Sequence, residues 1–321
     1  MEVKFHLPGL RRNYLINTMF VGLKEKNPQW FREGVVFGSF FGEFPTSLWN
    51  GGRVSRNDQC TPEYVKFVIK NMAEMDIPIR FTYSNLCLTE EDLKDPYCNV
   101  CLKLADNGKN GVIVASPLLE DYIRKNYPNY KIICSTCTEL KTPEAINAAL
   151  RKGYDMVVLD YGMNNHFDML EKIEDKSRCE ILVNAGCVPN CPRRGEHYRA
   201  TSEDQKAICK NMRLPKDQWL PVNPWQCPHM VGVKANVYTI QRFETYVSPE
   251  DIWEKYVPMG FQNFKIEGRS DDAFVVVEAL IHYMIRPEYQ GEARMTILHS
   301  MENLNMIHVD YFPEVPGKPR L

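Results

Sequence analysis

The chain has 321 residues, 44% of them apolar and 25% charged, a mix that excludes a disordered or fibrous protein and suits one with a sizeable core. Its 39 Lys and Arg against 41 Asp and Glu leave a net charge of −2, so no global basic field holds a nucleic acid by counterion release. Residues 1–6 lack the apolar segment of a signal peptide, and the greasiest stretch, 273–285, is short and carries Glu278 and His282, so it reads as a buried helix rather than a membrane span. A cytoplasmic protein with no membrane or nucleic-acid partner is expected.

Short β-branched runs alternate with amphipathic stretches along the chain. Strands are predicted over 3–7, 35–40, 77–83, 111–115, 131–135, 156–160, 180–184 and 263–267. Helices are predicted over 13–23, 62–74, 90–104, 118–126, 143–152, 167–173, 249–256 and 274–284. Thr142-Pro143-Glu144 and Ser248-Pro249-Glu250-Asp251 are start signals, with a capping hydroxyl and a proline in the first turn. Eight such units are the count that closes a (β/α)8 barrel. An open doubly wound sheet would show a Gly-rich phosphate turn after the first strand, and Pro8-Gly9-Leu10-Arg11 is not one. The expected architecture is a single barrel domain over 1–321, with a long insertion at 185–247 after the seventh strand and an extended tail from about residue 306. The insertion leaves the C-terminal face, where barrel active sites are built, and its helical signals are weak.

Eleven cysteines without a signal peptide point to metal or redox chemistry rather than to a disulfide scaffold. Cys187 and Cys191 form a C-x3-C pair where the seventh strand ends, and Cys209 and Cys227 follow in the insertion. Four thiolates around one centre suit an iron–sulfur cluster or a structural zinc. Cys134 and Cys137, at the end of the fifth strand, emerge on the same face as alternatives for one corner. Cys98 and Cys101 read as a buried helix face, and Cys60, Cys87 and Cys179 as structural. Radical chemistry with S-adenosylmethionine would want a third cysteine shortly after Cys191, where Arg193 and Arg194 stand.

The run Asn184-Ala185-Gly186-Cys187-Val188-Pro189-Asn190-Cys191-Pro192-Arg193-Arg194-Gly195-Glu196-His197-Tyr198 resembles a segment of one branch of peptidase family U32, the collagenase-like proteases. Gly51-Gly52-Arg53, Phe81-Thr82-Tyr83-Ser84-Asn85, Ser135-Thr136, Ser248-Pro249-Glu250-Asp251 and Phe264-Lys265-Ile266-Glu267-Gly268-Arg269 follow the family's order, so the resemblance spans about residues 37–269. It implies a TIM-like barrel carrying a 4Fe–4S cluster held by four cysteines. It also implies oxygen-independent hydroxylation, with prephenate as hydroxyl donor, and relatives that work as pairs, hence a homo- or hetero-oligomer. On that basis Cys187, Cys191 and Cys227 are the expected cluster ligands, with Cys209 leading for the fourth. The chain departs from the pattern in its expanded stretch between Cys191 and Cys227 and in lacking the further domain of longer members.

A small acidic, prephenate-like co-substrate needs polar groups at the barrel mouth. Arg53, Tyr83, Asn85 and His197 are the candidates, Arg53 foremost because arginine pairs bidentately with carboxylates and Gly51 and Gly52 let backbone approach a ligand closely. Arg80, Asp160, Asn164 and His166 are further groups at that end. A peptidase is the competing reading: no H-E-x-x-H helix or G-x-S-x-G elbow is present, but Cys187 and His197 share one loop. A non-catalytic partner stapled by zinc on Cys187, Cys191, Cys227 and His229 is the third.

Overall fold

The structure is a computed structural model that describes residues 1–52, 60–227, 229 and 237–307. Among these, eight parallel strands close in sequence order into a barrel, β1 pairing with both β2 and β8. The strands are β1 (Val3–Pro8), β2 (Val35–Gly42), β3 (Ile79–Tyr83), β4 (Gly111–Val114), β5 (Lys131–Cys134), β6 (Met156–Val158), β7 (Cys179–Leu182) and β8 (Asn263–Lys265). All eight predicted strands are present, most of them shortened at the C-terminal end, where the chain turns outward to build the mouth. Both faces of each strand are covered, which is why the runs read as nearly continuous apolar stretches rather than alternating ones.

The helices following the strands are α1 (Tyr14–Lys26), α2 (Pro62–Glu74), α3 (Pro96–Leu104), α4 (Pro117–Asn126), α5 (Pro143–Lys152) and α6 (Phe167–Leu170). Helix α5 shows why the sequence signals worked. Thr142 Oγ1 accepts from the Ala145 amide at 3.3 Å, Pro143 occupies the first turn, and Gly153 closes the helix at φ +99°. The helix predicted from residue 90 begins later, because Asp95 caps Pro96–Leu104 and the preceding Asp92–Lys94 is a short 3-10 turn.

Between β7 and β8 lie α7 (Arg194–Asn211), α8 (Val237–Ile240) and α9 (Pro249–Asp251), the last continuing as a π-helical turn over Ile252–Tyr256. Helix α7 has 18 residues where the sequence shows only weak helical signals. Its buried positions include Arg194, Ser202, Gln205 and Asn211, so polar side chains face inward and no apolar stripe marks it. Two helices follow β8: α10 (Ala273–Met284), as predicted, and α11 (Gln290–Asn303), which was not predicted and buries only Ala293, Ile297 and Met301. The tail expected from about residue 306 lies outside the described residues beyond Ile307. No helix among the described residues is long and apolar enough to cross a membrane.

Apolar side chains pack in two layers. A large cluster including Phe5, Phe40, Phe81, Ile132 and Phe264 fills the space between strands and helices. A small one, Phe41, Ile113, Ile133 and Val158, lies inside the barrel.

Candidate functional site

A cavity of about 650 Å³ opens at the C-terminal ends of the strands. Its inner wall carries Phe41, Ile113, Val158 and Leu182 from the strands, and the insertion covers it with residues that include Cys187, His197, Trp225 and Ile240. Helix α7 is fastened across the mouth by polar contacts. Gln205 Nε2 donates to the Ser47 carbonyl at 3.1 Å, Asn85 Nδ2 donates to the Ser202 carbonyl at 3.0 Å, and Lys206 and Lys210 lie 2.6 and 3.1 Å from Asp92. Burial pushes the Asp92 carboxyl up, but these lysines and two bonds from Thr89 outweigh it and hold the group at about 2.

A second, smaller cavity adjoins the first, sharing Cys187, His197, Trp225 and Cys227 with it. Cys191 and His229 complete its thiol and imidazole groups, so Cys187, Cys191 and Cys227 line one space. All eleven cysteines are free thiols. Among the described residues no three His, Cys, Asp or Glu side chains converge tightly enough to hold a single metal ion. A polynuclear cluster makes a looser demand, because each thiolate binds a different iron.

The loop between Cys187 and Cys191 is held by Arg194. Its guanidinium donates from Nη1 to both Asp160 oxygens, at 2.9 and 2.8 Å, and from Nη2 to the Val188 carbonyl at 3.1 Å. It also lies 4.1 Å from the centre of the Tyr161 ring. Asp160 Oδ1 accepts in addition from the Gly162 amide at 2.7 Å. Both side chains of the pair are 1% exposed, which ties the start of α7, the cysteine loop and the end of β6 into one unit. In the wall shared by the two cavities the His197 ring stacks on Trp225, centroids 5.4 Å apart and 8° from parallel, with Arg193 4.7 Å from the same indole.

Inside the barrel, below the cavity, four strands contribute ionisable groups. Glu180 of β7 is wholly buried; Arg80 of β3 hydrogen-bonds its Oε2, and Lys265 of β8 lies 3.3 Å from its Oε1. Burial alone would raise the Glu180 pKa, yet Lys265, His6 and Arg80 outweigh it and hold the group at about 2. The cations fare the other way. Burial draws down both Arg80 and Lys265, and Glu180 only partly offsets it.

The predicted site residues divide. Cys187, Cys191, Cys227 and His197 are brought together. Cys209 is not. It sits on α7 at 1% exposure, its thiol donating to the Thr46 carbonyl at 3.3 Å, and burial pushes it up to about 12. Residue 209 is fifteen positions into a helix whose first residues reach the cysteine loop, and that length carries it away. Of the alternatives, Cys137 lines the large cavity, whereas Cys134 is buried against Thr138 and pushed up to about 11. Tyr83 and Asn85 do not line the cavity. Alternation along β3 sends Thr82 and Ser84 inward and Tyr83 outward, where it stacks on Phe81 and meets Trp49 edge-on. Asn85 Nδ2 donates to the Leu48, Asn50 and Ser202 carbonyls and its Oδ1 accepts from the Cys87 amide, which saturates it as a structural bracket. Arg53 lies outside the described residues. The glycines beside it serve packing: a Cβ on Gly52, at φ +100°, would meet the Thr201 carbonyl of α7 at 2.7 Å.

No family model matches the chain. A curated relative, the uncharacterized protease MJ1657 of Methanocaldococcus jannaschii, is 25% identical over 184 residues, which are 52% of this chain and 47% of that protein. A solved structure, that of the U32 peptidase Mk0906, aligns with 83% of this chain and 92% of its own at 15% identity and a TM-score of 0.49. The chain spans about half the length of the curated relative it matches.

Three residues of the site escaped sequence reasoning. Lys265 and Thr82 stand inside strand motifs, and Arg194 stands where a third cysteine would follow Cys191. Strand parity held a usable signal, since apolar Ile79 and Phe81 mark the outward positions of β3 and leave Arg80, Thr82 and Ser84 inside. Nothing in the sequence marks Arg194 as the partner of Asp160, 34 positions away.

Proposed function

We propose that this protein is an iron–sulfur enzyme that carries out oxygen-independent hydroxylation, or related redox chemistry, with a small acidic molecule held at the barrel mouth as co-substrate. The observation that carries the reading is that Cys187, Cys191 and Cys227 line one small cavity sharing a wall with the large one. Soft thiol donors fit an iron–sulfur cluster, and Cys137, a further thiol of the large cavity, is the candidate for the fourth corner in place of Cys209. A cluster bound there supplies electron transfer and, at any iron without a thiolate, Lewis acidity. The protein's own residues do the rest. Arg194 and Asp160 fix the loop that presents Cys187 and Cys191, while the His197–Trp225 stack stands in the wall between the thiols and the large cavity. Eleven free thiols suit a reducing, cytoplasmic setting.

The test is anaerobic purification with iron and acid-labile sulfide measured together, about four of each per chain being expected. Cys187→Ala and Cys191→Ala should each lose most of the iron; full retention in both overturns the assignment. A second reading, a cysteine peptidase, is supported by the relative's name and by Cys187 and His197 lining both cavities. It predicts colourless protein that hydrolyses gelatin or casein and stops doing so in Cys187→Ala.

A further inference from the structure

Alternation along β8 turns Phe264 outward into the layer beneath the helices and Lys265 inward. Among the described residues that line the large cavity Lys265 is the only lysine, and its side chain is 11% exposed. The wall around it is apolar. Its Nζ sits 4.0 Å from the centre of the Phe41 ring, and Ile113, Val158 and Leu182 continue the lining.

The charge of Lys265 is not needed to balance the cluster beneath it. Its Nζ lies 3.3 Å from Glu180 Oε1, but the Arg80 guanidinium already bonds the other oxygen of that carboxylate. His6 Nε2, 3.5 Å from Glu180 Oε2, adds no charge, because burial keeps the imidazole neutral and holds it down at about 3. Arg269, a further cation acting on the lysine, is paired with Glu43. Glu180 therefore keeps a counter-ion when Lys265 loses its proton, whereas a protonated Lys265 makes two buried cations share one carboxylate. Burial accordingly draws the lysine below its ordinary range; Glu180 opposes this in part, and Arg80 and Arg269 add to it. A desolvated lysine in an apolar pocket is the kind that condenses with carbonyl groups.

We propose that Lys265 is an amine nucleophile that forms a Schiff base with an aldehyde or ketone whose apolar body rests on Phe41, Ile113 and Val158. The Nζ lone pair attacks the carbonyl carbon, and the resulting carbinolamine loses its oxygen as water. One ammonium and one carbonyl become one iminium ion and one water, so the positive charge facing Glu180 is the same before and after. The inference goes beyond the proposed function and uses none of its thiols.

Benzaldehyde with sodium cyanoborohydride is the probe. The borohydride delivers hydride to the iminium carbon, leaving a stable benzylamine that peptide mapping by mass spectrometry locates. At pH 7 the folded protein should carry about ten times more label on Lys265 than on any other lysine, because a lysine held below its ordinary range has the larger free-amine fraction. Protein unfolded in guanidinium should lose that preference. Arg80→Met makes Lys265 the remaining cation beside Glu180, which favours its protonated form, so the label there should fall severalfold. Label on Lys265 of the folded wild type no greater than on the surface lysines overturns the proposal by itself, even if Arg80→Met fails to fold. Undiminished label on Lys265 in folded Arg80→Met overturns it as well.

Discussion

Acidification should destabilise this protein well before its carboxylates titrate, and His6 is the cause. The ring lies inside the barrel at 1% exposure, its Nδ1 2.8 Å from Ser39 Oγ and its Nε2 3.2 Å from Asn263 Oδ1. The amide oxygen accepts, so Nε2 carries the proton and Nδ1 accepts from the serine hydroxyl. Burial first, and the Arg80 charge second, lower its pKa from 6.5 to about 3. A group lowered in the folded state is protonated first in the unfolded chain. Its contribution is complete above pH 6.5 and drains as the pH falls towards 3. At about 1.4 kcal/mol per unit, the full gap corresponds to about 5 kcal/mol, of which about 2 kcal/mol is lost by pH 5. Glu180, lowered from 4.5 to about 2, acts in the same direction but only below its unfolded value, so the range from pH 7 to 5 isolates histidine. His282 is also lowered by burial and is the control. Guanidinium unfolding at pH 7, 6 and 5 should show the wild-type midpoint falling, a flatter profile in His6→Gln, and a persistent fall in His282→Gln. Equal declines in wild type and His6→Gln would refute the reasoning.

Arg194→Met should destabilise by about 3–5 kcal/mol, because it strands Asp160 in a buried site, and chemical denaturation of the metal-free protein reads this directly. Gly38→Ala should cost about 1–3 kcal/mol: its Cβ would stand 2.5 Å from His6 Cε1 inside a packed barrel, and a melting temperature equal to wild type would contradict that packing. Cys209→Ala should retain iron under anaerobic conditions in which Cys187→Ala loses it, with iron per chain as the measurement.

The eight strands were legible because each is a short β-branched run covered on both faces, and the intervening helices because capping hydroxyls and prolines mark where several of them begin. The placement of Cys187 and Cys191 on the wall of one small cavity was legible too, since they stand four residues apart at a strand end. Helix α7 was hidden because its inward face is polar, satisfied by carbonyls and carboxylates of distant loops that no periodicity announces. Cys209 was misplaced for the same reason: sequence proximity to Cys191 says nothing once an 18-residue helix separates their surroundings. The sequence by itself thus determined the order and kind of the elements, which depend on neighbours within a few residues. Only the tertiary structure decided that Glu180 faces Arg80 and Lys265, that Arg194 finds Asp160, and that Thr82 rather than Tyr83 looks into the cavity. Closing a barrel brings side chains from opposite strands together, and their electrostatic balance exists only across that closed space.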